Sequence, residues 1–436
     1  MMLLLRGYLQ SNDGDKEQMS TKPEEIIKLR EHERIKDINE RDDRFDRLKL
    51  VSWDKPMDNA LEGYYASYKI GAEWIDRNEA IVVTTKRQME NIDFLSMFTS
   101  CFAADIDHQS FSQIYSIQYD QPPINAPALR SVISPLIVLH FLGVLSRIKT
   151  LKKGYVYYSE NLKKARGHIA IIKNERTNIA VKRYDRIYCN YSEYSVDIPE
   201  NRLLKKALLF AQRLILQQMR NHTCHNRVRQ VLGQCLAVFE HVSDDVDIKQ
   251  IQQTKGHKLY RDYAEAIRLA KLVLRYFDYS IKNVEDNNLP VVPFQIDMSL
   301  LYENYVYGML QEAYPGQIKY QFSGKTGYPD FLFRSPEYKA ILDTKYIPKF
   351  ENTDIDTYII RQLSGYSRDL KILEYLGFEK EIPHVPCVII YPKENNNAQY
   401  VNPFLQRQFR ELCTPEPGVL EFYKLEISLP IYICTK

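Results

Sequence analysis

The strongest constraint on this chain is a pair of acids placed symmetrically about one turn. Pro329-Asp330 opens the apolar run Phe331-Leu-Phe333, Ser335-Pro-Glu-Tyr338 has the composition of a reverse turn, and Ala340-Ile-Leu342 leads back into Asp343-Thr344-Lys345. Residues 330 and 343 are equidistant from the centre of that turn, so a simple hairpin sets them across from each other with Cβ atoms ~5 Å apart. Facing carboxylates destabilise a sheet unless a cation lies between them or one takes a proton. Side chains alternate along a strand, so Lys345 leaves it on the same face as Asp343. By the same alternation Thr344 is expected to turn its side chain to the core and offer its main-chain carbonyl.

Two acids, a carbonyl and an ammonium at one point suit phosphodiester hydrolysis. Mg2+, with Mn2+ as a substitute, takes oxygen ligands, and a neighbouring ammonium orients or stabilises the nucleophile. The predicted metal ligands are Asp330, Asp343, the Thr344 carbonyl and Glu303, the last from the preceding helix, directly or through water. Asp330, Asp343 and Lys345 are the predicted catalytic residues. Gln362 and Tyr366, four residues apart on one face of the following helix, join them; Arg361, Arg368 and Lys371 lie on its flanks, where they suit phosphate contacts.

At 436 residues the chain is too long for one core and is predicted to be a multi-domain α+β or α/β protein. Residues 1–50 are dense in charge and read as a tail or insertion, with a solvated helix over 24–40. Residues 51–198 carry short β-rich runs at 80–84, 168–172 and 179–181, broken by helical pieces near 90–104 and 128–148. Residues 199–290 turn helical, with Leu203, Leu204, Ala207, Leu208, Ala211, Leu214 and Ile215 on one face and a second long helix over 260–277. Asp197, Asn201 and Arg202 are expected to cap and anchor the first of these helices, with Asn201 or a neighbour as N-cap. Residues 291–436 predict helix 298–314, strands 318–322, 330–333 and 339–347, helix 354–376, strand 385–391 and two last strands at 420–427 and 429–433.

The near balance of 59 basic and 56 acidic residues rules out a whole-molecule field for nucleic acid, so any DNA contact must be local. Seven cysteines without a CxxC pair predict reduced thiols and a cytoplasmic protein. His222, Cys224, His225, Cys235 and His241 fit no standard zinc spacing. Met1–Leu5 is too short for a signal-peptide core, and the most apolar stretch, 135–145, is too short for a membrane span, so no membrane partner is expected.

The series Pro329-Asp330, Asp343-Thr344-Lys345 and Gln362-Leu-Ser-Gly-Tyr366 resembles the PD-(D/E)XK nuclease superfamily, in its branch with a QxxxY helix. Upstream, Arg166-Gly-His-Ile169, Tyr191-Ser-Glu-Tyr-Ser-Val-Asp197 and Asn201-Arg-Leu-Leu-Lys205 resemble the McrC family of McrBC modification-dependent restriction systems. The first resemblance implies an αβββαβ nuclease core over 291–436. The second implies double-stranded, modified DNA as substrate, a hexameric McrB-like AAA+ GTPase as partner, and a bacterial or archaeal cytoplasm. Residues 51–198 are then the expected docking domain. This chain has no GxxxxGK[ST] phosphate loop, so GTP hydrolysis is expected of the partner. Two other readings of the same motifs are a self-sufficient RecB-like nuclease and a non-catalytic activator of a motor.

Overall fold

The computed structural model describes residues 23, 25–36, 38–55, 61–89, 91–103, 113–218, 225–246, 261–282, 290–347, 355–378, 384–393 and 402–431. Strand β1 (Glu25–Arg30) and helix α1 (Asp43–Asp46) precede β2 (Val51–Asp54), β3 (Gly63–Ala66), β4 (Lys69–Trp74) and β5 (Glu79–Thr84). Residues 25–30 are therefore a strand where the charge density predicts a solvated helix. β1 pairs in parallel with β5, from Glu25↔Glu79 to Arg30↔Thr84, while Leu29, Ile35, Phe45, Leu48 and Leu50 form a core with Tyr64 and Val83. A few apolar side chains spaced among charges suffice, because the partner strand supplies the rest.

Helix α2 (Phe94–Ala103), strand β6 (Tyr115–Ile117) and helix α3 (Arg130–Arg147) follow, as the helical pieces predicted. Next comes an arm of three strands, β7 (Gly154–Leu162), β8 (His168–Ile169) and β9 (Ile187–Ser195), with β7 and β9 paired from Gly154↔Ser195 to Leu162↔Ile187. The strands predicted over 168–172 and 179–181 are corrected here. Beyond Ile169 the chain forms helix α4 (Ile171–Asn174) and a π-turn at 175–179. Buried Asn178 closes that turn, its Nδ2 donating to Asn161 Oδ1 at 2.9 Å and Asn174 Oδ1 at 2.7 Å. Gly167, at φ 64°, makes the turn into β8.

Helices α5 (Pro199–Gln218), α6 (His225–Val238) and α7 (Arg261–Lys282) make up the middle region, and the whole apolar face predicted for α5 is buried. Asn201 is not its N-cap: it lies inside the helix and its Nδ2 donates to the carbonyls of Lys152 and Val196. Asp197 does anchor the helix, through a two-pronged pair with Arg202 at 2.9 and 2.7 Å and a bond from the Ser243 amide.

Strand β10 (Phe294–Asp297) then returns to the first sheet, whose order is β1-β5-β4-β10-β6. Its last residue, Asp297, caps helix α8 (Met298–Ala313) by accepting from the amides of Ser299 and Leu300. A six-stranded sheet closes the chain, built from β11 (Ile318–Tyr320), β12 (Phe331–Arg334), β13 (Lys339–Thr344), β14 (Cys387–Lys393), β15 (Thr414–Pro415) and β16 (Phe422–Ser428), in the order β11-β12-β13-β14-β16-β15. Between β13 and β14 lie helices α9 (Thr357–Tyr366) and α10 (Leu370–Leu376). The single helix predicted over 354–376 is thus two, because Asp369 caps the second. Of the last predicted strand, Ile431 makes only an isolated bridge to Ile92, and residues 432 and 433 lie outside the described residues.

Parity along these strands sorts the core. Phe331, Phe333, Ala340, Leu342, Val388 and Ile390 join the large cluster that α8 covers, whereas Leu332, Ile341, Cys387 and Ile389 join a second cluster with Ile359, Leu363 and Tyr366 of α9. Buried on both faces, β13 and β14 read as continuous apolar runs. No helix among the described residues is long and apolar enough to cross a membrane.

Candidate active site

The hairpin register is Phe331↔Leu342, Leu332↔Ile341, Phe333↔Ala340 and Arg334↔Lys339. Carried one residue further, it sets Asp330 across from Asp343, as the turn symmetry predicts. Parity puts Asp343 on the α9 face with Ile341, while Asp330 and Lys345 lie just beyond the ends of their strands. Each side chain is therefore positioned by a strand whose other positions are locked in the core.

Asp343 is 1% exposed, and burial raises its carboxyl above the usual range against the opposing charge of Lys345. Lys345 Nζ lies 2.5 Å from Asp343 Oδ2, an ion pair between a buried carboxylate and a partly buried ammonium. For Lys345, burial opposes the charged form, but Asp343 and Asp330 outweigh it and hold the ammonium above its ordinary range. Asp330 keeps part of its surface accessible, yet desolvation of the carboxyl and the charges of Asp343 and Glu303 push it well above the usual carboxylate range. Like charges withdrawn from water leave these acids short of a cation.

The Thr344 side chain does not turn to the core as alternation predicts. Its amide and its Oγ1 both donate to Asp330 Oδ2, each at 2.6 Å. The ladder to β12 ends at Phe331↔Leu342, so past that pair the Thr344 amide meets the Asp330 carboxylate instead of a strand carbonyl.

Glu303 approaches from α8. It is 8% exposed and raised by burial, with hydrogen bonds from Gln321 and Tyr320 opposing and the Asp343 charge adding to the rise. Among the described residues no three His, Cys, Asp or Glu side chains form a group that could hold a metal ion. Glu303 therefore stands beside the aspartate pair without completing a three-acid cluster. Of the run His222, Cys224, His225, Cys235 and His241, His222 and Cys224 lie outside the described residues.

From α9, Gln362 Nε2 donates to Tyr366 Oη at 2.9 Å, and Tyr366 Oη reaches the Tyr328 carbonyl at 3.4 Å. The Tyr366 ring packs in the second core, so it is both a core aromatic and a hydroxyl at the edge of the site. Arg361, Arg368 and Lys371 are all exposed, as their flanking positions predict.

Two residues here escape the sequence reading. Gln321 has a left-handed backbone, φ 42°, rare for a residue with a side chain. Its amide donates to the Asp330 carbonyl at 2.8 Å and its Nε2 to Glu303 Oε1 at 3.0 Å, tying the two acids' supports together. The other is Asp369, whose carboxylate accepts from the loop before Asp330. An N-cap residue ahead of Leu-Lys-Ile-Leu inside a presumed helix was the available signal.

A family model described as McrBC 5-methylcytosine restriction system component matches residues 129–367. Among solved structures, the chain is similar to the refined half-complex from the tetradecameric assembly of Thermococcus gammatolerans McrB AAA+ hexamers with bound McrC, at 15% identity and a TM-score of 0.34 over 92% of this chain and 94% of that one. It is also similar to a chain of the cryo-EM structure of the Thermococcus gammatolerans McrBC complex, at 15% identity and a TM-score of 0.29 over 66% of this chain and 88% of that one. No curated protein matches it.

Proposed function

The chain belongs to the McrBC 5-methylcytosine restriction family, and from that premise we propose that it is the DNA-cutting subunit of such a system, a Mg2+-dependent endonuclease. The observation that carries this reading is the meeting of two desolvated aspartates and one lysine at the end of a hairpin. Two desolvated carboxylates side by side are costly, and the single ammonium of Lys345 offsets only one of their charges. The residues present fit a hard divalent ion. Asp330, Asp343 and the Thr344 carbonyl would hold it, with Glu303 acting through water. Such an ion, when bound, polarises a phosphoryl oxygen and acidifies water.

The chain's own groups do the remainder. Lys345 keeps its proton and stabilises negative charge at the attacked phosphate, while Gln362 and the Tyr366 hydroxyl bind the DNA backbone beside it. Helix, three strands, helices and strand follow the order of a PD-(D/E)XK core, and α9 carries the QxxxY pair.

A McrB-like AAA+ GTPase is the proposed partner, whose GTP hydrolysis this chain would stimulate, with modified double-stranded DNA as substrate. The arm over 154–195 supports docking on the N-terminal side. Tyr155, Ile171, Ile172, Val181 and Tyr184 are each between 69% and 80% exposed there, and apolar side chains so displayed mark interaction surfaces. We read the protein as cytoplasmic, where its described cysteines remain the free thiols observed.

The test combines the purified chain with a McrB-like AAA+ protein, GTP, and plasmid DNA carrying 5-methylcytosine. Cleavage that needs Mg2+ and stops in EDTA is the expected result. No cleavage under any metal sinks the enzymatic reading. Degradation of linear single-stranded DNA by the chain alone sinks the partner-dependent one.

A further inference from the structure

The segment between β11 and Asp330, Ser323-Gly-Lys-Thr-Gly-Tyr-Pro329, has no regular structure, yet its backbone is held tightly. Asp369, 3% exposed, accepts from the amides of Lys325 at 2.5 Å and Thr326 at 2.6 Å, and from Thr326 Oγ1 at 3.0 Å, all on Oδ2. Its other oxygen accepts from the Lys371 amide at 3.0 Å and so caps α10. Despite desolvation, these bonds hold the carboxyl below its ordinary range.

Two glycines let the loop come this close. A Cβ on Gly324 would lie 2.7 Å from Asp369 Oδ2, and one on Gly327, at φ 148°, would lie 2.8 Å from the Tyr366 ring. While the backbone faces inward, Lys325 and Tyr328 are exposed, and Pro329 then delivers the chain directly to Asp330. Exposed Arg368 and Lys371 flank Asp369, so three basic side chains and the Tyr328 ring are exposed on the two segments that the Asp369 carboxylate joins.

We propose that Asp369 is a positioning residue that clamps the loop over 324–328, and that this loop presents Lys325 to a backbone phosphate of the DNA strand lying against Asp330. The proposal rests on the nuclease reading above and extends it to a contact that the hairpin and the QxxxY helix do not supply. An ammonium on a short loop fixes a phosphate only if the loop has one conformation, and Asp369 imposes it through three bonds to two consecutive residues. The same clamp fixes the entry of Asp330 into the site.

The experiment measures binding of a short fluorescein-labelled DNA duplex by the full chain, without divalent metal, across a range of salt. Lys325→Ala, a surface change that leaves the fold alone, should weaken binding about 3- to 10-fold and lower the slope of log Kd against log salt by about one, the mark of one lost phosphate contact. Lys325→Arg should restore both. Asp369→Ala should reproduce the slope change, and adding Lys325→Ala to it should cost little more, because the lysine is already misplaced. In partner-driven cleavage with Mg2+, Asp369→Ala should also lower kcat, because Asp330 shifts, whereas Lys325→Ala should act mainly on KM. Unchanged slopes in both single variants, or fully additive losses in the double variant, overturn the clamp while wild-type binding stands. A wild-type chain that binds no duplex overturns the nuclease reading and the clamp together.

Discussion

The hairpin that carries Asp330 and Asp343 and the arm that carries Tyr155 and Tyr194 are both antiparallel pairs, yet they use their side chains in opposite ways. In the hairpin and its neighbour β14, nearly every position is buried, and the few polar groups are held by named partners. Along β7 and β9 only Cys189 is buried, and the rest is half-buried or exposed. A reacting centre needs groups fixed by packing on every side, while a surface awaiting another protein must leave its apolar area open. On the function proposed above, one chain divides the two requirements between two sheets.

The largest test of that division is Asp343→Ala or Lys345→Ala. Cleavage should fall on the order of 10²–10³-fold or more, while stimulation of the partner's GTP hydrolysis stays at wild-type level in the same preparations. Loss of both activities together would break the separation. Stability gives the next contrast. Leu342→Ala should cost about 2–5 kcal/mol in chemical denaturation, whereas Ile172→Ala on the arm should stay within about 0.5 kcal/mol.

A smaller effect comes from Glu31, at the end of β1, which burial raises to about 7 despite Lys86 and a hydrogen bond from Tyr346. Its folded-state value exceeds the unfolded one of 4.5, so its favourable contribution is complete below pH 4.5 and disappears as pH rises to about 7. At pH 8 Glu31→Gln should raise stability by up to about 3 kcal/mol and leave it unchanged at pH 4; parallel pH profiles for the two proteins would refute this. Smallest is the arm pair Tyr155→Ser with Tyr194→Ser, expected to raise the concentration needed to stimulate the GTPase about tenfold with the melting temperature constant.

Local signals were the legible ones. Turn symmetry places Asp330 against Asp343, and helical spacing marks the buried face of α5 residue for residue, because both depend on neighbours within a few positions. What escaped depends on distant partners. The charge-rich stretch around Lys28 becomes a strand only because β5, some fifty residues later, pairs with it. The apolar residues from Ile169 to Ile179 look like strand until Asn178 gathers Asn161 and Asn174 around a helical turn. Thr344 breaks the alternation that assigned it to the core, because a neighbouring carboxylate captures its hydroxyl. Asp369 was hidden inside an apparent helix that it interrupts.

The return of β10 into the first sheet has a consequence for how such a protein can be divided. A fragment beginning at residue 291 would keep α8 and Glu303 but strip β10 of both neighbours, β4 and β6, leaving two bare edges on a short strand that is otherwise buried. Grafting residues 291–436 onto another protein would therefore yield aggregate instead of a folded domain. Swaps that respect the weave must exchange the arm alone, between Gly154 and Ser195, where the chain leaves and re-enters across one ladder pair.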